Sequence, residues 1–303
     1  MRTDAVGVVI PLHDKARHIE RCLESVLRQS HDNLVVTVVD DGSTDSSAER
    51  VERINDPRIR LLRTVNRGPG AARNTGLRAT HTEWLAFLDA DDQWAPTFIR
   101  TTLNAADRFP HSVAVFTDII RAVQPAARVR GTSGVIDDYF GARMRRRISL
   151  SSSTVLVRRS VFASIGGFRE DTRYAEDSEA WFRLVCEGPV YFVNEALARI
   201  EMADPSTLTR TTRSQARAAG LQMLLDSHAR HADAGRIPAR FAHSVRRFMQ
   251  HQRGRQALHL ILAGQRAAGA RALMRVPPGV HTWREYGQCA LLLAKSVMLQ
   301  QSP

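Results

Sequence analysis

Three carboxylates within four residues follow an apolar run in this chain. Residues 84–88 read Trp-Leu-Ala-Phe-Leu, and Asp89, Asp91 and Asp92 come directly after them. A buried strand that ends in acids places oxygen ligands at its tip, and Mg²⁺ or Mn²⁺ held by one or two carboxylates keeps its other positions for water and substrate phosphates. The pattern therefore favours phosphate chemistry on a divalent metal. A solvated acidic turn explains Asp-x-Asp equally well when the tripeptide is taken alone.

The composition is that of a globular protein. The chain has 303 residues, of which 43% are hydrophobic and 24% are charged, enough to bury one large core or two smaller ones. Three cysteines without a close pair fit neither a disulfide framework nor a zinc site, so we expect a reducing compartment. The N-terminal residues lack the apolar region of a signal peptide, and no run of about 18 apolar residues occurs. We therefore expect a cytoplasmic protein.

The net charge of +12 is carried by the C-terminal part of the chain. Residues 1–209 contain 28 Lys and Arg against 28 Asp and Glu, whereas residues 210–276 contain 13 Arg against two Asp. A solvated helix face accounts for this excess, and so does attraction to an anionic membrane surface or to an acidic, lipid-linked acceptor. Nucleic acid is not expected as a partner, because this region has few aromatic residues on which bases could stack.

The first 120 residues alternate between short apolar runs and helical patterns. Apolar residues at helical spacing between 19 and 27 predict a helix between the first two runs. The runs that predict strands are 6–10, 34–39, 59–62, 84–88 and 113–117. Strands alternating with helices predict an α/β fold with a mostly parallel sheet, in which ligands bind at the carboxyl ends of the strands.

Polar motifs follow three of these predicted strands and should converge on one crevice. They are Pro11-Leu-His13-Asp14 after the first strand, Asp40-Asp-Gly-Ser-Thr-Asp45 after the second, and the acidic triplet after the fourth. A glycine turn with a Ser or Thr cap explains residues 42–45, but it does not require acids at both Asp40 and Asp41. Arg73 stands near the start of another predicted helix and is a candidate diphosphate contact.

Together these motifs resemble glycosyltransferase family 2, the inverting nucleotide-sugar enzymes of GT-A fold. The matching segments, in the family's order, are Val-Ile-Pro-Leu-His near the start, Val39-Asp-Asp-Gly-Ser-Thr-Asp45, Asn66-Arg-Gly-Pro-Gly-Ala-Ala-Arg-Asn74, Phe87-Leu-Asp-Ala-Asp-Asp92, Gly166-Gly-Phe168 and Glu176-Asp177. The resemblance covers roughly residues 5–205. It implies a Rossmann-like GT-A catalytic domain over residues 1–209, and we predict an Arg-rich helical region over residues 210–303.

The resemblance also implies a role for each matched residue. The residues that would bind the nucleotide sugar are Pro11, His13, Asp41, Arg73, Asp89 and Ala90. Among them, Pro11 and His13 would line the base pocket and Asp41 would hydrogen-bond the nucleobase. Asp89 and Asp91 would hold the metal, Mn²⁺ or Mg²⁺, with Asp89 turned toward the ribose.

Asp177 matches the catalytic base of the family. Direct displacement at an anomeric carbon needs a carboxylate that takes the proton of the acceptor hydroxyl. The alternative is a helix cap, because a carboxylate is favourable at a helix N-terminus.

Many relatives carry a His near the metal where this chain has Glu201, so Glu201 either replaces that His as an oxygen ligand or makes no such contact.

The predicted function is the transfer of one sugar from a nucleoside-diphosphate sugar, with a UDP-sugar favoured, to a glycan or lipid-linked acceptor. The Gln-x-x-Arg-Trp element of processive synthases is absent, and the basic region predicts a peripheral contact at the inner face of the membrane. A dinucleotide enzyme could be argued from Gly68 and Gly70, but that motif follows the third strand rather than opening the fold. A non-enzymatic protein that binds nucleic acid or membranes could be argued from the pI of 10.9.

Overall fold

The computed structural model describes residues 5–121, 132–145, 148, 150–201, 213–277, 287–289 and 291. The chain divides into two compact units. The first comprises Met1–Glu170 and Ala180–Thr207, and the second comprises Asp171–Glu179 and Leu208–Pro303. The predicted domain boundary after residue 209 falls outside the described residues and stays a prediction.

The first unit is built on one sheet, which has nine strands within the described residues. They are β1 (Val6–Leu12), β2 (Leu34–Asp41), β3 (Ile59–Thr64), β4 (Trp84–Phe87), β5 (Gln93–Trp94), β6 (Ala114–Arg121), β7 (Gly134–Val135), β8 (Val155–Arg158) and β9 (Val190–Ile200). The order is β3-β2-β1-β4-β8-β6-β9-β5, and β7 pairs with β9. Strands β1, β2, β3, β4, β6 and β9 run in one direction, because β8 is antiparallel to both β4 and β6. The prediction of a mostly parallel sheet is confirmed.

Helices connect and cover these strands. Those of the first unit are α1 (Ile19–Leu27), α2 (Ser47–Glu52), α3 (Pro69–Ala79), α4 (Phe98–Arg108), α5 (Tyr139–Met144) and α6 (Arg159–Ser164). Helix α7 (Glu176–Glu187) begins in the second unit, and its residues from Ala180 belong to the first. Helix α1 buries Ile19, Cys22, Leu23 and Val26, the apolar stripe that the sequence predicts.

The sheet register brings the polar motifs to one edge. In the parallel pairing of β1 with β2, Pro11 lies opposite Val39 and Leu12 lies opposite Asp40. Strand β4 pairs with the other side of β1, where Val9 lies opposite Phe87. The segments that follow β1, β2 and β4 therefore leave the sheet at the same edge, where ligands of open α/β sheets bind.

An aromatic cluster anchors the end of β4. The Phe87 ring packs against Phe162 at 5.5 Å, Phe168 at 5.0 Å and Trp181 at 6.5 Å between ring centroids. Such tilted and edge-to-face contacts stabilise beyond simple burial. These contacts hold the last residue of β4 in place, two positions before Asp89.

The described part of the second unit consists mainly of helices. Its described helices include α8 (Ser214–Asp233), α9 (Ala242–Leu262) and α10 (Arg266–Met274). Leu221 and Leu224 of α8 and Phe248 of α9 are buried. Across the part of the chain that the structure describes, no helix is long and apolar enough to cross a membrane.

Candidate active site

The loop after β1 is tied to the loop after β2 by hydrogen bonds. Asp14 accepts hydrogen bonds from the backbone N–H of Thr44 at 2.7 Å and of Asp45 at 3.3 Å. The backbone N–H of Lys15 donates to Ser47 Oγ at 2.8 Å. The Thr44 N–H, opposed by partial burial, lowers the pKa of the Asp14 carboxyl. His13, just before this junction, is exposed and lies 3.0 Å from Asn66 Nδ2 through its Nε2.

Asp41 fixes the start of helix α3. Its Oδ1 accepts the backbone N–H of Arg67 at 2.9 Å, and its Oδ2 accepts that of Gly68 at 2.7 Å. Gly68 has a φ of 97°, a conformation that favours glycine, and Pro69 follows at the first helical position. Asp41 is therefore occupied in holding this turn, and its predicted contact with a nucleobase stays a prediction.

Asp89 lies at the end of β4 in an ion pair with Arg73 from the first turns of α3. Arg73 Nη2 is 2.6 Å from Asp89 Oδ1, and the guanidinium carbon lies 5.2 Å from the centroid of the Phe168 ring. The Arg73 side chain is only 5% exposed, whereas that of Asp89 is 31% exposed. A buried arginine thus points at a carboxylate that solvent and ligands can still reach.

Asp91 is paired with a lysine from the loop after β1. Lys15 Nζ lies 3.0 Å from Asp91 Oδ2, and both side chains are 13% exposed. Burial raises the pKa of the Asp91 carboxyl, with Lys15 opposing that shift and Asp89 adding to it. A largely buried carboxylate beside a second carboxylate favours a nearby cation, and Lys15 supplies one to Asp91.

Asp92 is more deeply buried than the other two carboxylates and is held by hydrogen bonds. Its Oδ2 accepts the hydroxyl hydrogen of Ser153 at 2.5 Å, and its Oδ1 accepts the backbone N–H of Glu201 at 2.9 Å. The same Ser153 oxygen accepts the backbone N–H of Asp89 at 3.0 Å. Burial raises the pKa of the Asp92 carboxyl well above its usual range, and the neighbouring Asp89 and Asp91 raise it further.

Glu201 directs its side chain to Arg21. Glu201 Oε2 lies 3.1 Å from Arg21 Nη2, which also donates to the backbone oxygen of Asp91 at 3.4 Å. The backbone N–H of Glu201 thus supports Asp92, and the Glu201 side chain forms an ion pair with Arg21. Whether it also serves as a metal ligand stays a prediction.

The donor set fits a metal that is completed by substrate. Among the described residues, no three His, Cys, Asp or Glu side chains are grouped to hold a metal ion. Asp89 and Asp91 offer two carboxylates, and Mg²⁺ or Mn²⁺ often binds in that way, with phosphates and waters in the remaining positions. The residues present therefore suit a metal that arrives with a diphosphate.

The first unit brings the predicted donor-binding residues to one sheet edge. They are Pro11 at the end of β1, His13 after it, Asp41 at the end of β2, Arg73 on α3, and Asp89, Ala90 and Asp91 after β4. Asp177, the predicted base, belongs to the second unit as the second residue of α7, and its Oδ1 accepts the Ser178 N–H at 2.5 Å.

Two residues at this site were missed by reasoning from sequence. Lys15 is one of only two lysines in a chain rich in arginine, which was its only signal. Ser153 stands in the run Ser151-Ser-Ser-Thr154, whose composition is typical of a turn. Their contacts with Asp91 and Asp92 arise from segments far apart in sequence.

The fold and the site edge define a class of enzyme. A mostly parallel sheet with carboxylates at the end of β4 is what the resemblance to the GT-A glycosyltransferases implies. The sequence model named "Glycosyl transferase family 2" matches residues 7–163. The chain belongs to glycosyltransferase family 2, and the predicted family, fold class and enzyme class are confirmed.

Two bacterial relatives are similar to this chain over part of their length. The succinoglycan biosynthesis protein ExoO of Rhizobium meliloti is 40% identical over 111 residues, which is 36% of this chain and 32% of that protein. The uncharacterized glycosyltransferase YibD of Escherichia coli is 36% identical over 106 residues, 34% of this chain and 31% of that protein. The matched region thus spans about a third of these relatives.

Solved structures share the fold over most of the chain. Staphylococcus aureus TarS in complex with UDP-GlcNAc has a TM-score of 0.66 at 18% identity, covering 96% of this chain and 80% of that one. The mannosyltransferase PcManGT of Pyrobaculum calidifontis, in complex with GDP-Man and Mn²⁺, has a TM-score of 0.61 at 22% identity, covering 98% and 80%. At these identities the likeness shows the fold alone.

Proposed function

We propose that this glycosyltransferase inverts the anomeric centre and transfers a single sugar from a nucleoside-diphosphate sugar to a hydroxyl of a glycan or lipid-linked acceptor. The observation that carries this proposal is the pair of carboxylates after β4, Asp89 and Asp91, each beside a cation. Arg73 and Lys15 add positive charge where a diphosphate would meet these acids. A UDP-sugar is the favoured donor, and the fold neighbours bind UDP-GlcNAc and GDP-Man.

In the proposed reaction the acceptor oxygen bonds to the anomeric carbon while the bond from that carbon to the diphosphate oxygen breaks. Asp177 takes the proton of the acceptor hydroxyl, and the electron pair of the broken bond leaves with the nucleoside diphosphate. Attack opposite the leaving group inverts the configuration. Mn²⁺ or Mg²⁺, held by Asp89 and Asp91, would offset the charge on the diphosphate.

Two substitutions separate donor binding from transfer. Asp91→Ala should abolish metal-dependent binding of nucleoside diphosphate, measured by calorimetry with UDP, GDP and dTDP in the presence of Mn²⁺. Asp177→Asn should keep that binding and slow sugar transfer by a factor on the order of 10² to 10⁴. Turnover is followed as nucleoside diphosphate released from UDP-GlcNAc, UDP-glucose or GDP-mannose, with octyl glycosides and water as acceptors.

Asp32→Ala serves as the matched control, because Asp32 is an exposed carboxylate in the loop before β2. It should leave both binding and turnover unchanged. A folded Asp91→Ala protein with wild-type, metal-dependent affinity would refute the metal assignment. Near wild-type transfer by Asp177→Asn, or a product that retains the donor's anomeric configuration, would refute the single-base displacement.

The basic second unit supports a further part of the proposal, a contact with an anionic surface. Ten arginines on or beside α8, α9 and α10 are exposed, namely Arg213, Arg230, Arg236, Arg240, Arg246, Arg247, Arg253, Arg266, Arg271 and Arg275. Clustered cations attract membranes that carry anionic lipids. A lipid-linked acceptor would be found at such a surface, at the inner face of the membrane.

A further inference from the structure

The segment that carries Asp177 belongs to the same compact unit as the C-terminal helices. Residues Asp171–Glu179 cluster with the chain from Leu208 onward and not with the sheet. Since Asp177 is the proposed base, the contacts of this segment decide where its carboxylate points. Helices α8 and α9 make several of those contacts.

Tyr174, three residues before Asp177, is held on several sides by these helices. Its hydroxyl oxygen accepts a hydrogen bond from Arg255 Nη2 on α9 at 2.8 Å. The guanidinium carbon of Arg217 on α8 lies 5.7 Å from the centre of its ring. The His259 ring lies 6.5 Å away in an edge-on arrangement at 71°. An arginine over an aromatic face and a hydrogen bond at the phenol together fix the ring's position.

The backbone at Tyr174 is held as closely as its side chain. Gly220 of α8 packs directly against the Tyr174 carbonyl oxygen, so that a Cβ at position 220 would collide with it. That carbonyl oxygen also accepts the Thr172 hydroxyl hydrogen at 2.9 Å. Glycine is normally disfavoured in a helix interior. At position 220 it allows helix α8 to pack directly against the Tyr174 backbone.

The residues on either side of Asp177 are constrained as well. Ala175 has a φ of 64°, in the left-handed region that residues with a Cβ seldom adopt, and such strain persists only where the surroundings enforce it. Glu179 is 1% exposed and accepts the hydroxyl hydrogen of Ser227 on α8 at 2.6 Å. The turn that enters α7 is therefore fixed both before and after Asp177.

We propose that helices α8 and α9 position the catalytic base by holding the segment Asp171–Glu179, with Tyr174, Arg255 and Gly220 as positioning residues. This inference rests on the proposed function of Asp177. It assigns the C-terminal region a part in sugar transfer in addition to any contact with a membrane. None of the three positioning residues needs to touch the donor or the acceptor.

The test is a comparison of two arginines two positions apart on α9. Arg255→Gln and Tyr174→Phe each remove the hydrogen bond to the phenol, whereas Arg253→Gln makes the same charge change at an exposed position. The first two should lower kcat roughly 10- to 100-fold, because small misplacements of a catalytic group have effects of that size. The Kd for UDP or GDP with Mn²⁺ should stay within about twofold of wild type, since only interactions made in the transition state are lost.

Four further measurements separate positioning from general loss of structure. Arg255→Lys should recover part of the lost kcat, and the double variant Tyr174→Phe/Arg255→Gln should be no slower than the worse single variant, because both changes remove one contact. Gly220→Ala should lower kcat while circular dichroism shows undiminished helix. In an Asp177→Asn background, Arg255→Gln should have no added effect.

The outcomes distinguish this inference from the function on which it rests. Loss of transfer in Asp177→Asn combined with wild-type kcat in Arg255→Gln, Tyr174→Phe and Gly220→Ala would overturn the positioning role alone. Retained transfer in Asp177→Asn would overturn the assignment of the base itself. Equal slowing by Arg253→Gln and Arg255→Gln would also count against the inference, because it would trace the effect to charge rather than to the contact with Tyr174.

Discussion

Ser153 joins two of the three acids after β4, and its removal should weaken the fold and the donor site together. The hydroxyl oxygen accepts the backbone N–H of Asp89 at 3.0 Å and donates to the Asp92 carboxylate at 2.5 Å. Ser153 is fully buried and Asp92 is 2% exposed, so water cannot readily replace the lost group. Ser153→Ala therefore leaves a backbone donor and a carboxylate each without one partner.

The size of the effect follows from these two contacts. A hydrogen bond to a charged group contributes about 1.5–3 kcal/mol to stability, and an unsatisfied buried group costs about 1–3 kcal/mol. The remaining bond from the Glu201 N–H to Asp92 limits the loss. We expect Ser153→Ala to lower the free energy of unfolding of the first unit by about 3 kcal/mol. For a unit of this size that corresponds to a fall in Tm of roughly 6–12 °C.

Ser112→Ala is the matched control. Ser112 is 1% exposed, and within the described residues its hydroxyl oxygen has no hydrogen-bond partner. Its removal should change Tm by no more than about 2 °C, because no buried partner is left unsatisfied. The two variants delete the same atom from equally buried sites and differ only in what that atom holds.

Tryptophan fluorescence follows the unfolding of this unit, because three of the chain's four tryptophans lie in it. Trp84, Trp94 and Trp181 are all buried in it, and Trp94 Nε1 donates to the Ser153 backbone oxygen at 2.6 Å. Calorimetry with UDP or GDP and Mn²⁺ provides the second measurement, and affinity should fall because the Asp89 backbone loses its support. Equal Tm values for Ser153→Ala and wild type, or equal losses in Ser153→Ala and Ser112→Ala, would refute this reasoning.

Two further predictions concern the second unit. Co-sedimentation at low salt should recover the protein with anionic vesicles but not with neutral ones, and recovery with anionic vesicles should fall as the ionic strength rises. Equal recovery with both kinds of vesicle would contradict this prediction. The substitutions that should release it are Arg246→Gln, Arg247→Gln and Arg266→Gln. Burial, with Arg217 and Arg255 nearby, lowers the pKa of His259 to about 4 from 6.5. The folded state therefore resists protonation, and the stability that neutral His259 contributes is complete above pH 6.5 and is lost as the pH falls toward 4. Helix melting followed by circular dichroism should show this decline, and His259→Gln should flatten it; an equally steep decline in that variant would rule His259 out as its source.

The parallel half of the sheet could be predicted because its strands are apolar runs that end in polar motifs. The runs at 6–10, 34–39, 59–62 and 84–88 correspond to β1 to β4. The place of β8 between β4 and β6 could not be predicted in this way. Its four residues resemble any short apolar run, and its neighbours are chosen by packing among segments distant in sequence.

The candidate site shows the same division. Acids at the end of a predicted parallel strand indicate a cation site, because strand ends of one direction meet at one edge. The residues that pair with those acids come from loops. The course of a loop cannot be read from a periodic pattern of apolar residues. Lys15 reaches Asp91 only because the loop after β1 is hydrogen-bonded to the loop after β2. Likewise, nothing in the residues 171–179 indicates that helices near the C-terminus hold them.

Burial assigns different roles to three acids that look equivalent in sequence. Asp92 is 2% exposed and satisfied by Ser153 and a backbone N–H, so it supports the turn. The side chain of Asp91 is 13% exposed, and that of Asp89 is 31% exposed. Each of these two is paired with a cation, Lys15 or Arg73, whose place beside the carboxylate a metal ion would take in the proposed complex. A carboxylate with permanent hydrogen-bond partners serves structure, whereas one held by an exchangeable ion pair stays available for a ligand. The turn after β4 therefore contains the two acids proposed to bind the donor and the acid that supports them.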